Sequence, residues 1–420
     1  MEAGSAAFIN ARIFDGEAPR LVDGQNVFVR DGLILEVSDR PPTPDDGTAI
    51  SCDGRTLMPG LIDCHVHAYA LSPNLSEVAN APDTLAATWA TGMLSRMLDR
   101  GFTTVRDTGG ADYGLFLGLT RGYIRGPRLF YCGRAISQTG GHADLRNPHH
   151  KGCSDVIACG CGQAGLFSAV VDGVDAVRKV VRENLFRGSN FIKFMGSGGV
   201  SSTGDKLESL QFSDEEVVAI VEEVERHGAY CTAHIHPDKA LSRAIRLGVH
   251  CIEHGTLIEP ETARLAADRG TYIVPTMSII WSLDREGREL GFPEQSLEKL
   301  KLIKDEAVGR LQHMKDAGVK VGYGTDLLGP LERHQLQEFK LRGQIYSNHE
   351  MLVQATSMAA EIVGAKGRLG IVRAGAAADL LVVDGDPLED IDCLVADGAN
   401  LRIIMKEGAF VKNELGAPPR

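Results

Sequence analysis

Apolar and polar positions along the chain follow two different rhythms. Near the N-terminus, 6–16 and 26–37 read as short apolar strands such as Phe8-Ile9 and Val27-Phe28-Val29. Asp15-Gly16 and Asp31-Gly32 punctuate them and suit tight turns. Stretches 378–385 and 401–411 repeat that texture at the other end. The two ends therefore predict one small β-sandwich module, built from 1–58 and 371–420. Between them, over 59–370, short apolar strands alternate with helical stretches. Strands are predicted at 61–66, 102–107, 191–195, 229–234, 251–254, 271–276 and 320–326, and helices at 175–187 and 213–227. The second helix opens with Ser213 as a cap, and Glu216 completes a capping-box pattern. This alternation predicts an α/β fold of the (β/α)8 TIM-barrel type, with its working end at the C-terminal strand ends. A doubly wound sheet is the rival architecture, but no Gly-rich dinucleotide fingerprint follows an early strand.

Composition narrows the class without sharpening it. The 420 residues are 43% hydrophobic and 24% charged, ordinary for a globular chain large enough to bury a substantial core. A formal net charge of -12 argues against a nucleic-acid or anionic-membrane surface. No apolar run approaches the roughly 18 to 20 residues of a membrane span. The first residues, Met1-Glu2-Ala3-Gly4-Ser5, lack a basic flank and apolar core of a secretory signal. Nine cysteines, an odd number scattered through the chain, suit reduced thiols and a cytoplasmic location better than a disulfide scaffold.

The candidate chemistry sits where the predicted strands end. His65 and His67 close the strand entered through Pro59-Gly60; two apart on a strand, they share one face. Converging neutral imidazoles suit a divalent ion such as zinc, although an isolated pair is equally a set of hydrogen-bonded core histidines. Lys193, His234 with His236, His254 and Asp326 end other strands in the same way. Singly, a snorkelling lysine, a core histidine or a helix-capping Asp326 would explain each. Together, at one end of a barrel, they predict one site. Lys193 is the most informative member. Burial near cations lowers a lysine pKa, and the neutral amine can add carbon dioxide to form a carbamate. That anionic group suits bridging two divalent ions about 3.5–4 Å apart.

The chain resembles the amidohydrolase superfamily across nearly its whole length. The likeness is carried by Pro59-Gly60-Leu61-Ile62-Asp63-Cys64-His65-Val66-His67, Ile192-Lys193, His234-Ile235-His236, Ile252-Glu253-His254-Gly255-Thr256 and Gly324-Thr325-Asp326. Ser137-Gln138-Thr139-Gly140-Gly141-His142-Ala143-Asp144 and Phe191-Ile192-Lys193-Phe194-Met195-Gly196-Ser197-Gly198-Gly199-Val200 point to its prolidase-like branch. That branch hydrolyses dipeptides and N-acyl amino acids and includes ochratoxin-degrading amidohydrolases. The resemblance implies that His65, His67 and Asp326 hold one divalent ion and His234 and His254 a second, both zinc. Lys193, carboxylated to N6-carboxylysine, would bridge the two. It further implies attack by a hydroxide held between the ions, Asp326 shuttling the proton to the leaving amine. His236 would touch the substrate or the oxyanion, and His142, in its Gly-Gly turn, a substrate carboxylate. A small-molecule amide or dipeptide is the implied partner, and relatives of this branch imply a homo-oligomer as large as an octamer.

Three features lie apart from that picture. Ala143-Asp144 follows His142 where Gly-Asp is more usual in the branch. Cys132, Cys153, Cys159 and Cys161 do not match a standard zinc spacing, and 149–165 reads as a Gly-rich lid. The charged stretch 281–304 reads as a solvated helix or a lid. Rival functions are a mononuclear cyclic-amidine hydrolase or deaminase, which generally lacks the bridging lysine, a lactonase or phosphotriesterase-like enzyme, which keeps it, and a non-catalytic barrel scaffold, which should have lost ligands.

Overall fold

The computed structural model of the chain describes residues 4–146 and 166–416. Cys153, Cys159, Cys161 and the whole of the expected lid, 149–165, lie outside the described residues.

The N-terminal strands are β1 (Ala6–Ile13), β2 (Val22–Arg30), β3 (Leu33–Ser38), β4 (Thr48–Ser51) and β5 (Thr56–Pro59). Asp31 and Gly32 both take positive φ, 50° and 81°, which is the backbone a two-residue turn between β2 and β3 requires. Strands β6 (Leu61–Val66), β7 (Phe102–Asp107), β8 (Arg128–Tyr131), β9 (Ala135–Ser137) and β10 (Ser168–Val170) follow. After them come β11 (Ile192–Met195), β12 (Cys231–Pro237), β13 (Cys251–Leu257) and β14 (Tyr272–Val274). The chain closes with β15 (Leu380–Val383), β16 (Leu401–Lys406) and β17 (Ala409–Asn413).

The two ends share one eight-stranded sheet in the order β17-β16-β15-β5-β1-β2-β3, with β4 beside β1. β15 pairs antiparallel with β5 from Leu380–Pro59 to Val383–Thr56, which ties the C-terminal strands to the N-terminal ones. Every pairing among β6 to β14 is parallel. β6-β7-β8 form one sheet and β10-β9-β11-β12-β13-β14 another. β7 and β11 are buried along their whole length, as parallel strands covered on both faces are. The stretch 320–326 holds only an isolated bridge rather than the strand expected there. It nevertheless lies between β14 and β6. Ile273 N donates to Lys320 O (3.0 Å), Gly322 N to Ile273 O (2.9 Å), Cys64 N to Tyr323 O (2.8 Å) and Asp326 N to His65 O (2.8 Å).

Helices cover this sheet system. Val174–Phe186 buries Val177, Val180 and Val181 at helical spacing and packs beside Asp214–Arg226. Ser213 Oγ accepts from Glu216 N, and Glu216 Oε2 accepts from Ser213 N, so the capping box forms as expected. The stretch 281–304 departs from its expected single helix. Met277–Glu286 and Glu294–Lys301 are separate helices, parted around Gly291 and Pro293. Ile279, Ile280, Leu283 and Leu300 are buried, and apart from the buried Lys299 the charged residues mark the outer face. Among the described residues no helix is long and apolar enough to cross a membrane.

Candidate metal centre and substrate cleft

All eight residues nominated from the sequence line one cleft of about 810 Å³: His65, His67, His142, Lys193, His234, His236, His254 and Asp326. They arrive from β6, the turn after β9, β11, β12, β13 and the 320–326 stretch. Parallel strands bring their C-terminal ends to one side, which is why residues so distant in sequence meet. His254 and Asp326 are non-glycine residues in the left-handed region, at φ 72° and 56°. Such backbone costs energy and clusters at working sites. Gly324 permits the approach of its stretch to β6, since a Cβ there would fall 2.9 Å from His65 Cβ and 2.3 Å from Val274 Cγ1.

Two sets of donor atoms lie close enough to share an ion: His234 with His236 and His254, and His65 with His254 and Asp326. In each set the atoms are all within 4.8 Å of one another. His67 joins the second set, its Nε2 being 3.2 Å from Asp326 Oδ1. His65 Nε2 lies 3.3 Å from the same oxygen. His254 therefore belongs to both sets, and His236 stands among the candidate ligands rather than apart from them.

Hydrogen bonds on the outer edges of the rings fix what the inner edges offer. His65 Nδ1–H donates to Glu253 Oε2 (2.7 Å) and His67 Nδ1–H to Gly109 O (2.9 Å). His236 Nδ1 is 2.9 Å from Thr256 Oγ1, and His254 Nδ1 is 2.7 Å from Thr276 Oγ1. Four histidines are thus held at Nδ1 with Nε2 left for the centre, the arrangement that orients metal-bound imidazoles. His254 Nε2 and His234 Nδ1 lie 2.9 Å apart, and His234 Nε2 is buried with no hydrogen-bond partner. A buried polar atom without a partner is costly. A divalent ion is a partner that an imidazole nitrogen accepts, so these residues fit one.

Burial and charge set the protonation states. Burial, reinforced by neighbouring histidines, holds His234 and His254 well below the ordinary histidine value, so both are neutral and ligand-ready. Burial also lowers the pKa of Lys193, against the opposing pull of Glu253 and Asp326. Burial alone would raise the Asp326 carboxyl; His65 and His67 outweigh it and keep that group well below the carboxylate range. His142 is pushed down to about 4 by burial, which makes it a neutral hydrogen-bonding group at neutral pH rather than a cation.

Sequence reasoning missed the residues behind the ligands. Glu253 is fully buried and accepts from Arg106 Nη2 (2.6 Å), Thr232 Oγ1 and His65. Arg106 also donates to Cys64 O (2.6 Å), inside the strand that carries His65. The available signal was a charged residue inside each of two apolar strands, 102–107 and 251–254. Asp63 orients its neighbours: it accepts from His65 N (3.0 Å), Thr325 Oγ1 (2.7 Å) and Gln335 Nε2 (2.9 Å), so it clamps β6 to the 320–326 stretch. Apart from Ser201 and Thr276, the rest of the cleft is apolar, including Phe167, Met195, Ile279, Ile280, Leu283 and Leu300. Among the described residues no arginine lines it.

Comparison with known proteins gives the family. The model of the amidohydrolase family matches residues 56–411. The ochratoxinase of Aspergillus niger is 34% identical over 346 residues, spanning 80% of this chain and 71% of that protein. A crystal structure of a prolidase complexed with N-methylphosphonate-L-proline is 40% identical at a TM-score of 0.93, covering 97% of this chain and 99% of that one. A Xaa-Pro dipeptidase with methionine bound in its active site is 28% identical at a TM-score of 0.85, covering 98% of this chain and 100% of the other. With the family pattern matched over most of its length, and its histidines, lysine and aspartate gathered in one cleft, the chain belongs to the amidohydrolase family.

Proposed function

We propose that this chain is a binuclear metal-dependent hydrolase that cleaves the amide bond of dipeptides or N-acyl amino acids. The observation that carries the reading is the convergence of six cleft histidines, Lys193 and Asp326, with His234 Nε2 buried and unpartnered among them. The names of the prolidase, dipeptidase and ochratoxinase relatives support the same bond class. In this reading His65, His67 and Asp326 would hold one zinc ion and His234 and His254 the other. Lys193, carboxylated, would supply the anionic ligand that joins them. His254 belongs to both donor sets, and His236 lies near enough to His234 and His254 to complete theirs.

When bound, such ions polarise a carbonyl and acidify water. The remaining work falls to the chain's own side chains. Asp326 enters the reaction ionised; with His65 and His67 both on Oδ1, its Oδ2 is the oxygen that takes a proton and returns it to the leaving nitrogen. Glu253 keeps His65 in the tautomer that presents Nε2. His142 and His236 contact the substrate, and the apolar wall excludes water from the scissile bond.

The same reading completes the architecture. With 320–326 counted as the eighth stave between β14 and β6, residues 59–370 form a (β/α)8 barrel. Residues 1–58 and 371–420 form the β-sandwich module. A deaminase reading is disfavoured by the burial of Lys193 among the ligands.

The test is a panel of dipeptides and N-acyl amino acids assayed before and after chelation. Hydrolysis that disappears with the metal and returns with zinc supports the proposal. Turnover of lactones or amidines in place of amides would contradict it.

A further inference from the structure

The apolar wall of the cleft is assembled from separate elements. Ile279, Ile280 and Leu283 reach it from the helix Met277–Glu286, where this spacing shares one face. Leu300 comes from Glu294–Lys301, Ile303 from the cap of the helix Lys304–Ala317, and Val200 from the loop after β11. None of the six is more than 7% exposed, so their neighbours fix them as core residues are fixed.

Buried charges hold these elements together. Glu338 accepts from Met277 N (3.2 Å) and Ser278 N (2.6 Å), the first amides of the helix Met277–Glu286. Arg342 donates to Glu338 through Nε (2.6 Å), and also to Gly322 O (3.0 Å) and Pro275 O (2.6 Å). Both side chains have zero exposure. At the far end, Lys299 donates to Gly199 O (2.9 Å), Ser202 O (2.8 Å) and Asp205 Oδ1 (2.8 Å). Three ammonium protons meet three acceptors, and Glu294–Lys301 is tied to the loop that bears Val200. A buried charge is tolerated where its hydrogen bonds are met and is costly once they break. The wall is therefore preformed, and a preformed surface discriminates by shape and polarity.

We propose that this wall selects the acyl arm of the substrate, with Ile280, Leu283 and Leu300 receiving a bulky apolar group on the carbonyl side of the scissile bond. The inference rests on the amide-hydrolase reading above and adds a substrate class to it. Chemistry decides which arm the wall takes. The leaving amino acid brings a carboxylate, and an apolar surface cannot strip water from that group without a large cost. The acyl arm carries its variable group free of that charge. In a dipeptide this group is the N-terminal side chain, and in an N-acyl amino acid it is the acyl chain. Nothing is asked of the leaving amino acid, so prolyl and other leaving groups are served alike.

The test has two arms on the purified, zinc-loaded full chain. First, kcat/KM is measured for glycyl, leucyl and asparaginyl dipeptides that share one leaving amino acid. The parent should favour the leucyl over the glycyl compound about tenfold or more, the worth of burying such a group. The asparaginyl compound, close to leucyl in shape, should fall back to the glycyl level. Leu283→Asn should erase most of the leucyl-to-glycyl ratio, and the volume-conserving Leu283→Met should keep it. Equal turnover of leucyl and asparaginyl compounds, or an unchanged ratio in Leu283→Asn, would overturn the proposal. So would a preference for apolar groups that appears only when the leaving amino acid is enlarged. Second, calorimetry compares binding of acetate and 4-methylpentanoate, acids that an acyl arm would release. The longer acid should bind about tenfold tighter or more to the parent and lose that advantage in Leu283→Asn; equal affinity for the two acids would overturn the assignment. If the parent hydrolyses no amide, the functional reading fails, while the calorimetric arm still decides what the wall selects.

Discussion

Glu253 shows how much of this site is decided by one buried side chain. It neutralises Arg106, accepts from Thr232 and orients His65, all at zero exposure. Glu253→Gln keeps the shape but removes the charge, leaving the Arg106 guanidinium buried without its anion. Breaking one side of a buried ion pair costs about 3 kcal/mol or more, and loss of an orienting partner weakens metal binding about 10- to 100-fold. Denaturant unfolding and zinc titration of the variant should show both effects together. Retained affinity with only a stability loss would assign Glu253 to the core rather than the site. Glu253 was hard to read in advance for a physical reason. Consecutive strand residues face opposite ways, so the neighbour of a ligand is expected to point elsewhere. The left-handed backbone at His254 breaks that alternation, and no residue-type signal announces it. His65, His67 and Lys193, by contrast, were legible because they sit at strand ends in ordinary geometry.

At the scale of elements, the helices Val174–Phe186 and Asp214–Arg226 are joined by an ion network around Glu223. Its carboxylate accepts from Arg182 (2.7 and 3.0 Å), Arg178 (3.2 Å) and Arg226 (3.4 Å). The Arg182 hydrogen bond leads, and Arg178 assists, in lowering its pKa to about 2 from an ordinary 4.5. An acid with a depressed folded pKa adds stability above its unfolded value and loses it as pH falls through the folded one. Glu223→Gln should therefore cost roughly 1 kcal/mol at pH 7, in keeping with a partly exposed network. The gap from the parent should shrink between about pH 4.5 and pH 2. Urea unfolding at pH 7 and pH 3 measures it, and a gap that stays constant would contradict the assignment. The same two helices were legible from their period and from the Ser213 capping box. Strands β8, β9 and β10 were not, being three or four residues long with Arg128 or Ser168 at their starts. The 281–304 stretch misled because its outward charges are closely spaced, while the apolar residues lining the cleft come at helical intervals between them.

Taken whole, the molecule couples its ends to its middle. Leu381, Leu401 and Ile404 belong to the same apolar cluster as Leu98 and Phe102, although β15 and β16 lie in the terminal sheet. Arg128 reaches from β8 to Asp379, with Thr104 (3.1 Å) and Glu407 (2.9 Å) alongside. A chain truncated after residue 370 should thus expose apolar surface and aggregate instead of folding as a free-standing barrel. Size-exclusion chromatography of that fragment checks the point, and a soluble fragment with full metal content would refute it. The β-rich ends were visible in the sequence as texture, but their union through β5 and β15 was not, because pairing partners more than 300 residues apart leave no local trace.

The central claim is that Lys193 joins two ions in one centre, and metal content tests it most directly. Bound zinc should be counted per chain in the parent and in Lys193→Ala, with amide hydrolysis assayed on the same samples. About two equivalents in the parent, falling sharply in the variant together with hydrolysis, is the expected result. One equivalent, unchanged by the substitution, would contradict the bridged centre and the function built on it.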